Sequence, residues 1–229
     1  GIALVYGATG VTNFAKIQAN ITAYGLEQNG LLLVGMALLL VGFGFKIAAV
    51  PFHMWAPDVY EGAPTPVTAY MAAAVKAASF AAFFRLMLEA FPTMLSTWHL
   101  AIWWLAALTM IVGNLVALAQ RDIKRLLAYS SIAHAGYILA AMVAGTALGS
   151  SAFMFYLFAY TMVTRGAYAV VLALRMTGSD TTREREDEGI GRVRTVPGRA
   201  RALHMRAVHG SMVVGGQKRA RTRSVLHRK

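Results

Sequence analysis

The chain has 229 residues, of which 57% are hydrophobic, a formal net charge of +12 and no cysteine. Without cysteine, these residues can form no disulfide, no thiolate metal site and no iron–sulfur cluster. The histidines of the apolar part, His53, His99 and His134, lack the spacing of metal ligands, so we expect no metal site.

Charge and aromatic content divide the sequence near residue 174. Residues 1–174 contain eight Lys or Arg and five Asp or Glu, a net charge of +3, whereas residues 175–229 contain fourteen and five, a net charge of +9. The second part has no Phe, Trp or Tyr and too few apolar residues for a core. We therefore expect a transmembrane domain over residues 1–174 and a basic, disordered tail over residues 175–229.

The predicted elements begin with residues 1–9, which are apolar but too short to cross a bilayer and look like the end of a helix. Residues 13–29 are mixed and predict a loop or a short surface helix. Five later apolar stretches have the length, roughly 20 residues, that a membrane-spanning helix requires. These predicted spans are residues 30–50, 67–91, 99–119, 126–145 and 150–174.

Pro51 should interrupt the first span, because proline removes a helical hydrogen bond, and Gly42 and Gly44 weaken the helix before it. The predicted fold class is therefore all-α. We expect a polytopic transmembrane helix bundle with about five complete spans, part of a sixth, and a broken helix near Pro51.

The Pro/Gly-rich residues 52–66 predict a turn, with Thr65 as the N-cap of the next helix and Pro66 at its first position. Within this turn we interpret Asp58 as a local turn former and Glu61 as solvated.

Three tryptophans, Trp98, Trp103 and Trp104, open the third span at an interface-like position.

Short basic loops stay on the cytoplasmic side of a membrane, which predicts the topology. Residues 120–125 carry Arg121, Lys124 and Arg125, and the tail after residue 174 is also basic. Two predicted spans separate these segments, so both can be cytoplasmic. Counting back along the spans places residues 52–66 on the same side and residues 13–29 outside.

Two lysines are candidates for chemistry within the spans. Lys46 lies late in the first span, where a lysine could instead reach to the interface. Lys76 lies near the middle of the second span, from which that reach is hard. Burial disfavours the charged form of an amine, so a central lysine could gain and lose a proton near neutral pH.

His134 lies eight residues into the fourth span, about 12 Å deep at 1.5 Å per residue. Histidine has the side chain whose ordinary pKa is closest to physiological pH, although a single buried histidine is more often a hydrogen-bonded structural residue. The nearby hydroxyls of Ser130, Ser131 and Tyr137 could line a wet path. Arg165, inside the fifth span, has no evident partner among the few carboxylates of the apolar part.

The basic run KRARTR at residues 218–223 has no neighbouring aromatic residues for base stacking. We therefore expect no nucleic-acid partner, and such a run is equally compatible with anionic lipid.

Long motifs resemble the antiporter-like, proton-pumping membrane subunits of respiratory complex I, and among the three such subunits most closely subunit N. The first is PFHMWAPDVYEGAPTPVTAYMAAAVKAASFAAFFRL at residues 51–86, with a lysine thirty residues after Lys46. NLVALAQRDIKRLLAYSSIAHAGY at residues 114–137 is a second match, and FYLFAYTMVTRGAYAVVLAL at residues 155–174 a weaker third. The likeness covers about residues 1–192.

The resemblance implies a proton relay in which Lys46 is the family's broken-helix lysine, Lys76 its central lysine and His134 the histidine that leads toward the exit. It implies proton translocation in a bacterial cell inner membrane, driven by the oxidation of NADH by quinone in partner subunits. No cofactor is expected on this chain, since NADH, FMN, the iron–sulfur clusters and quinone belong to those partners. The expected partners are the other membrane-arm subunits and the lipid bilayer.

The sequence also departs from the family. The family's glutamate that pairs with the Lys46 position and its later lysine have no counterpart here, so the chain reads as a truncated fragment. After about Arg192 the family continues into another apolar helix, whereas this chain is rich in Arg, Gly and His, which suggests a frameshift or a genuine extension. At position 165 the family usually has a small or polar residue, where this chain has Arg165. A subunit of a stand-alone cation/proton antiporter and a non-functional fragment remain alternatives.

Overall fold

The structure is a computed structural model that describes residues 1–176, and within that range it contains helices and short connections but no β-strand. The α-helices are α1 (Ile2–Thr9), α2 (Phe14–Tyr24), α3 (Gly30–Ile47), α4 (Trp55–Gly62), α5 (Thr65–Tyr70), α6 (Lys76–Arg85), α7 (Leu95–Leu118), α8 (Ile123–Val143) and α9 (Ala147–Met176). The predictions of a disordered tail and of a frameshift after Arg192 concern residues outside this range.

Five helices of the described part are long and apolar enough to cross a membrane. They are Gly30–Ile47, Thr65–Ala90, Pro92–Leu118, Ile123–Val143 and Ala147–Leu174. The short α1 packs against α3, where Val5 and Leu4 approach Gly35. The predicted all-α, polytopic bundle is confirmed.

The first span is broken, as predicted, and its end is held by side chains from elsewhere. α3 ends at Ile47, because Ala48 takes a left-handed conformation with a φ of 58°. The indole N–H of Trp55, the first residue of α4, donates to the Phe45 carbonyl at 2.8 Å. The Val50 N–H donates to the Thr109 hydroxyl of α7 at 2.9 Å. These bonds satisfy backbone groups that the break releases.

The prediction of a turn over residues 52–66 is wrong in part, because these residues include the two-turn helix α4. The predicted cap is displaced by one residue, since Pro64 is the N-cap and Thr65 is the first helical residue. From Thr65 the chain forms one long helix in which π-helical segments at Met71–Val75 and Leu86–Ala90 flank α6. A π segment leaves main-chain groups without their usual helical partners and often marks a functional site.

The interface position predicted for Trp98 is wrong. Its side chain is fully buried and its indole N–H donates to the Phe91 carbonyl at 3.0 Å, which ties α7 to the preceding helix. Trp103 and Trp104 are 45% and 53% exposed, as expected of residues that face lipid or its interface.

Glycines allow α7 and α8 to pack closely. A Cβ at Gly136 would lie 2.8 Å from the main-chain nitrogen of Met110, and one at Gly113 would lie 2.7 Å from that of Ala133. Small residues at such contacts let helix backbones approach each other.

We expect Gly136→Ala to destabilise the protein by about 1–3 kcal/mol, because an added methyl in a tight contact forces the helices apart. Thermal unfolding in detergent measures the effect. Gly42→Ala is the control, since apart from its own stretch of helix no atom of the described residues lies within 4 Å of a Cβ there. Equal melting temperatures for the two variants would contradict the prediction.

Candidate functional site

Lys76 lies buried at the point where the π segment Met71–Val75 passes into α6, and only 2% of it is exposed. Its ammonium donates to Ser131 of α8, at 2.6 Å to the hydroxyl and 2.9 Å to the carbonyl. The ion pairs found within residues 1–176 do not include Lys76. Neutral oxygens therefore hold this amine, and they can hold it in either protonation state.

A second hydroxyl extends this contact to α9. The Tyr160 phenol lies 2.9 Å from the Ser131 hydroxyl and donates to the Ala72 carbonyl at 2.8 Å. Ala72 belongs to the π segment just before Lys76, so the phenol satisfies a carbonyl of the irregular turn. Three helices thus meet at one hydrogen-bonded network.

His134 lies one helical turn beyond Ser131 on α8 and contacts the same face of α9. Its Nδ1 is 2.8 Å from the Tyr156 hydroxyl, and its ring centroid is 5.4 Å from that of Tyr160. The Tyr137 ring also packs beside it, and the Tyr137 hydroxyl accepts a hydrogen bond from the Asn114 amide at 3.0 Å. Tyr160 therefore lies between the Lys76 contact and the histidine.

The structure does not bring Lys46 into this network. Lys46 lies in the last turn of α3 and is exposed, and its side chain makes no hydrogen bond or ion pair with the described residues. Of the predicted relay, Lys76 bonds to Ser131, which contacts the Tyr160 phenol, and the His134 ring packs against Tyr160, whereas Lys46 stands apart.

Sequence reasoning missed Tyr156 and Tyr160, although it anticipated Ser131 and Tyr137. The missed residues are four positions apart on α9, the spacing that places side chains on one helix face. That spacing was visible in the sequence, but nothing local indicated that this face meets α8.

Charged residues gather where α4 meets the start of α8. Arg125 lies 2.9 Å from the Asp58 carboxylate and 2.8 Å from that of Glu61, so the interpretation of Glu61 as simply solvated is wrong. Lys124 is only 3% exposed and donates to the carbonyls of Glu61 and Ala63 at 2.6 and 2.7 Å. The loops 52–66 and 120–125 therefore lie at one end of the bundle, as predicted.

Lys124 should matter more for stability than Arg125, although Arg125 forms the ion pairs. We expect Lys124→Met to cost about 3 kcal/mol, because each hydrogen bond to a charged group contributes roughly 1.5–3 kcal/mol and the carbonyls of Glu61 and Ala63 would lose a donor. Arg125→Gln should cost about 1 kcal/mol or less, since its pairs are partly exposed. Thermal unfolding of both variants in detergent tests the ranking, and a larger loss for Arg125→Gln would reverse it.

Arg165 is exposed and lines a groove of about 430 Å³ between α5 and α9, together with Pro66, Ala69 and Leu172. It forms no ion pair with the described residues. Nothing in the structure explains an arginine at this position.

The structure is that of a polytopic membrane protein, with five spans, a broken first helix and a buried amine bound by the neighbouring helices. An ionisable group inside such a bundle is typical of ion-translocating proteins. The chain belongs to the NADH:quinone oxidoreductase/Mrp antiporter transmembrane family, whose sequence model matches residues 1–190.

Among its relatives is the NADH-quinone oxidoreductase subunit N of Trichlorobacter lovleyi, which is 50% identical over 216 residues. That match covers 94% of this chain and 44% of the relative, so the chain spans less than half of the relative's length. The similar proteins are thus antiporter-like membrane subunits of an oxidoreductase complex.

Two solved membrane complexes have a similar fold. Respiratory complex I from Thermus thermophilus with bound aureothin matches at 47% identity and a TM-score of 0.58, over 74% of this chain and 35% of that one. The membrane-bound sulfane sulfur reductase, an archaeal respiratory membrane complex, matches at 29% identity and a TM-score of 0.78, over 91% and 42%.

Proposed function

We propose that this chain translocates protons as an antiporter-like subunit of an NADH-quinone oxidoreductase in a bacterial inner membrane. Protons move through Lys46, Lys76 and His134 and are coupled to quinone reduction in other subunits. The observation that carries the proposal is the buried Lys76 ammonium, bonded to Ser131 within a hydroxyl network that leads toward His134.

The first step of the mechanism is a change in the proton affinity of Lys76. Its charged form is disfavoured by burial and is stabilised by neutral acceptors rather than by a carboxylate. An approaching positive charge repels it further, and in a medium of low polarity such repulsion acts over several ångströms. Lys46, one span away and unpaired in the described residues, is the proposed source of that charge.

The second step moves the proton from Lys76 toward His134. Ser131 accepts from Lys76 and lies against Tyr160, and the His134 ring packs at a tilt against the rings of both Tyr160 and Tyr156. Hydroxyls and water can relay a proton by accepting one and releasing another. His134 is suited to receive it, because imidazole changes charge near neutral pH.

The redox chemistry is assigned to partners. We propose that NADH, FMN, the iron–sulfur clusters and quinone bind to other subunits, and that this chain contacts membrane-arm neighbours and lipid. It then supplies a proton path and no electron carrier.

The test is to purify the complex that contains this chain from bacterial membranes and to assay it in inverted vesicles. We expect NADH-dependent quinone reduction to co-purify with the chain and to drive proton uptake. Proton movement driven by an imposed sodium gradient, with no NADH oxidation, would instead support a stand-alone cation/proton antiporter, which the family also includes. Insertion with neither activity would identify a non-functional fragment.

A further inference from the structure

Hydroxyl side chains occupy four positions of α9 at intervals of four residues: Tyr156, Tyr160, Thr164 and Tyr168. Such positions form one ridge of a helix, and at 1.5 Å per residue this ridge extends about 18 Å. That is more than half of a bilayer's hydrocarbon core of roughly 30 Å. We call these four residues the hydroxyl ridge.

The proposed relay uses only one half of the hydroxyl ridge. Tyr156 contacts His134, and Tyr160 contacts Ser131. The other half, Thr164 and Tyr168, lies nearer the end of the bundle that carries the loops 52–66 and 120–125.

That second half is also buried. Thr164 is 9% exposed and follows Tyr160 by one turn on the same face of α9. Tyr168 is 1% exposed and packs in one apolar cluster with Tyr60 of α4, itself 2% exposed. Burial raises the pKa of Tyr60, and the nearby Tyr160 phenol adds to this effect. Buried side chains that carry hydroxyls therefore continue along α9 from Tyr160 to the cluster shared with α4.

The Tyr168 hydroxyl is the unexplained member of this set. Its oxygen is buried and has no hydrogen-bond partner in residues 1–176. Burying a hydroxyl without a partner is unfavourable, because the group loses its hydrogen bonds to water, and phenylalanine would fill the same space without that cost. A role in transferring protons accounts for a hydroxyl that packing does not need.

We propose that Tyr60, Tyr168, Thr164 and Tyr160 form the branch that carries protons between the loop end of the bundle and Lys76. This inference rests on the proposed function of Lys76. Each hydroxyl accepts a proton on its oxygen and releases its own to the next group, so that none keeps a charge. Where two hydroxyls are not in contact, a bridging water completes the step. A proton that enters at Tyr60 thus converts neutral Lys76 to its ammonium form.

The hydrogen-bond donors and acceptors around Lys76 are arranged as expected after the lysine has received a proton. Lys76 donates to the Ser131 hydroxyl, so the Ser131 proton is left for the Tyr160 oxygen, and Tyr160 donates to the Ala72 carbonyl. Before the proton arrives, each donor and acceptor is exchanged, so that Tyr160 donates to Ser131 and Ser131 donates to neutral Lys76. The Ala72 carbonyl in the π segment gives the Tyr160 proton a resting acceptor.

The test is Tyr168→Phe in the complex that contains this chain, with NADH-driven proton uptake measured in inverted vesicles. We expect uptake to slow by about tenfold or more, as when a positioned proton-transfer group is removed. Thermal stability should be unchanged or higher, because the hydroxyl makes no hydrogen bond within residues 1–176. Tyr70→Phe, at a side chain that is 65% exposed, is the matched control.

Tyr60→Phe should slow proton uptake similarly, and the double variant should be no slower than either single one, because both hydroxyls serve one path. Parental uptake in Tyr168→Phe would overturn the inference, as would slow uptake that follows a loss of stability. If Lys76→Met stops uptake while Tyr168→Phe does not, only this inference fails. If Lys76→Met itself pumps normally, the proposed function fails.

Discussion

Replacing Lys76 by Met is expected to abolish most NADH-driven proton uptake in inverted vesicles. Met keeps an unbranched apolar chain of similar length, so it fills the buried site while removing the amine that gains and loses the proton. The loss should be about a hundredfold or more, the usual effect of deleting an essential proton-transfer group. Dye-quenching assays of vesicle acidification measure it directly.

The same substitution should leave the complex assembled. Lys76 is held by neutral oxygens of Ser131, so its removal strands no buried carboxylate, although those oxygens lose a donor. Lys16→Met, at an exposed lysine of α2, is the control and should pump like the parent. Proton uptake that survives in assembled Lys76→Met complexes would refute the role of this lysine.

His134→Gln is expected to lower proton uptake by about tenfold or more. Glutamine can still bond to the Tyr156 hydroxyl, so the contact between α8 and α9 is retained, but it cannot hold a proton near neutral pH. The substitution therefore separates proton carrying from packing. The rate of vesicle acidification should fall while the melting temperature of the complex stays close to that of the parent.

His99→Gln on α7 is the control for this substitution, because His99 lies outside the network of Ser131, Tyr156 and Tyr160. If both histidine variants pump equally well, His134 is a structural residue that bonds to Tyr156, and the proton leaves Lys76 by another path.

The predicted spans agree with the structure because spanning a bilayer is a local requirement on length and polarity. The helix from Gly30 ends at Ile47, close to the predicted break at Pro51, and α9 ends at Met176. The sequence predictions were wrong where local composition favours one structure and tertiary packing selects another. A Pro/Gly-rich stretch still formed α4, and Trp98, which by its position could face the interface, is buried against Phe91.

The candidate site was predictable only in part. A lysine in the middle of an apolar helix is conspicuous because of its cost, and Lys76 was identified on that ground. Tyr156, Tyr160 and Lys124 were not, since tyrosine suits a lipid interface and a lysine beside Arg125 suits a basic loop equally well. Burial and contacts distinguish them, and neither can be read from single positions.

The sequence alone determined where the chain crosses the membrane and which ionisable groups lie inside it, because both follow from the polarity of successive residues. Only the tertiary structure decided what those groups contact. Lys76 meets Ser131 across 55 residues of chain, Tyr160 meets Ala72 across 88, and Lys46 remains exposed. Such contacts depend on how helix faces pack, on Gly113 and Gly136 allowing α7 and α8 to approach, and on the π segment that presents the Ala72 carbonyl.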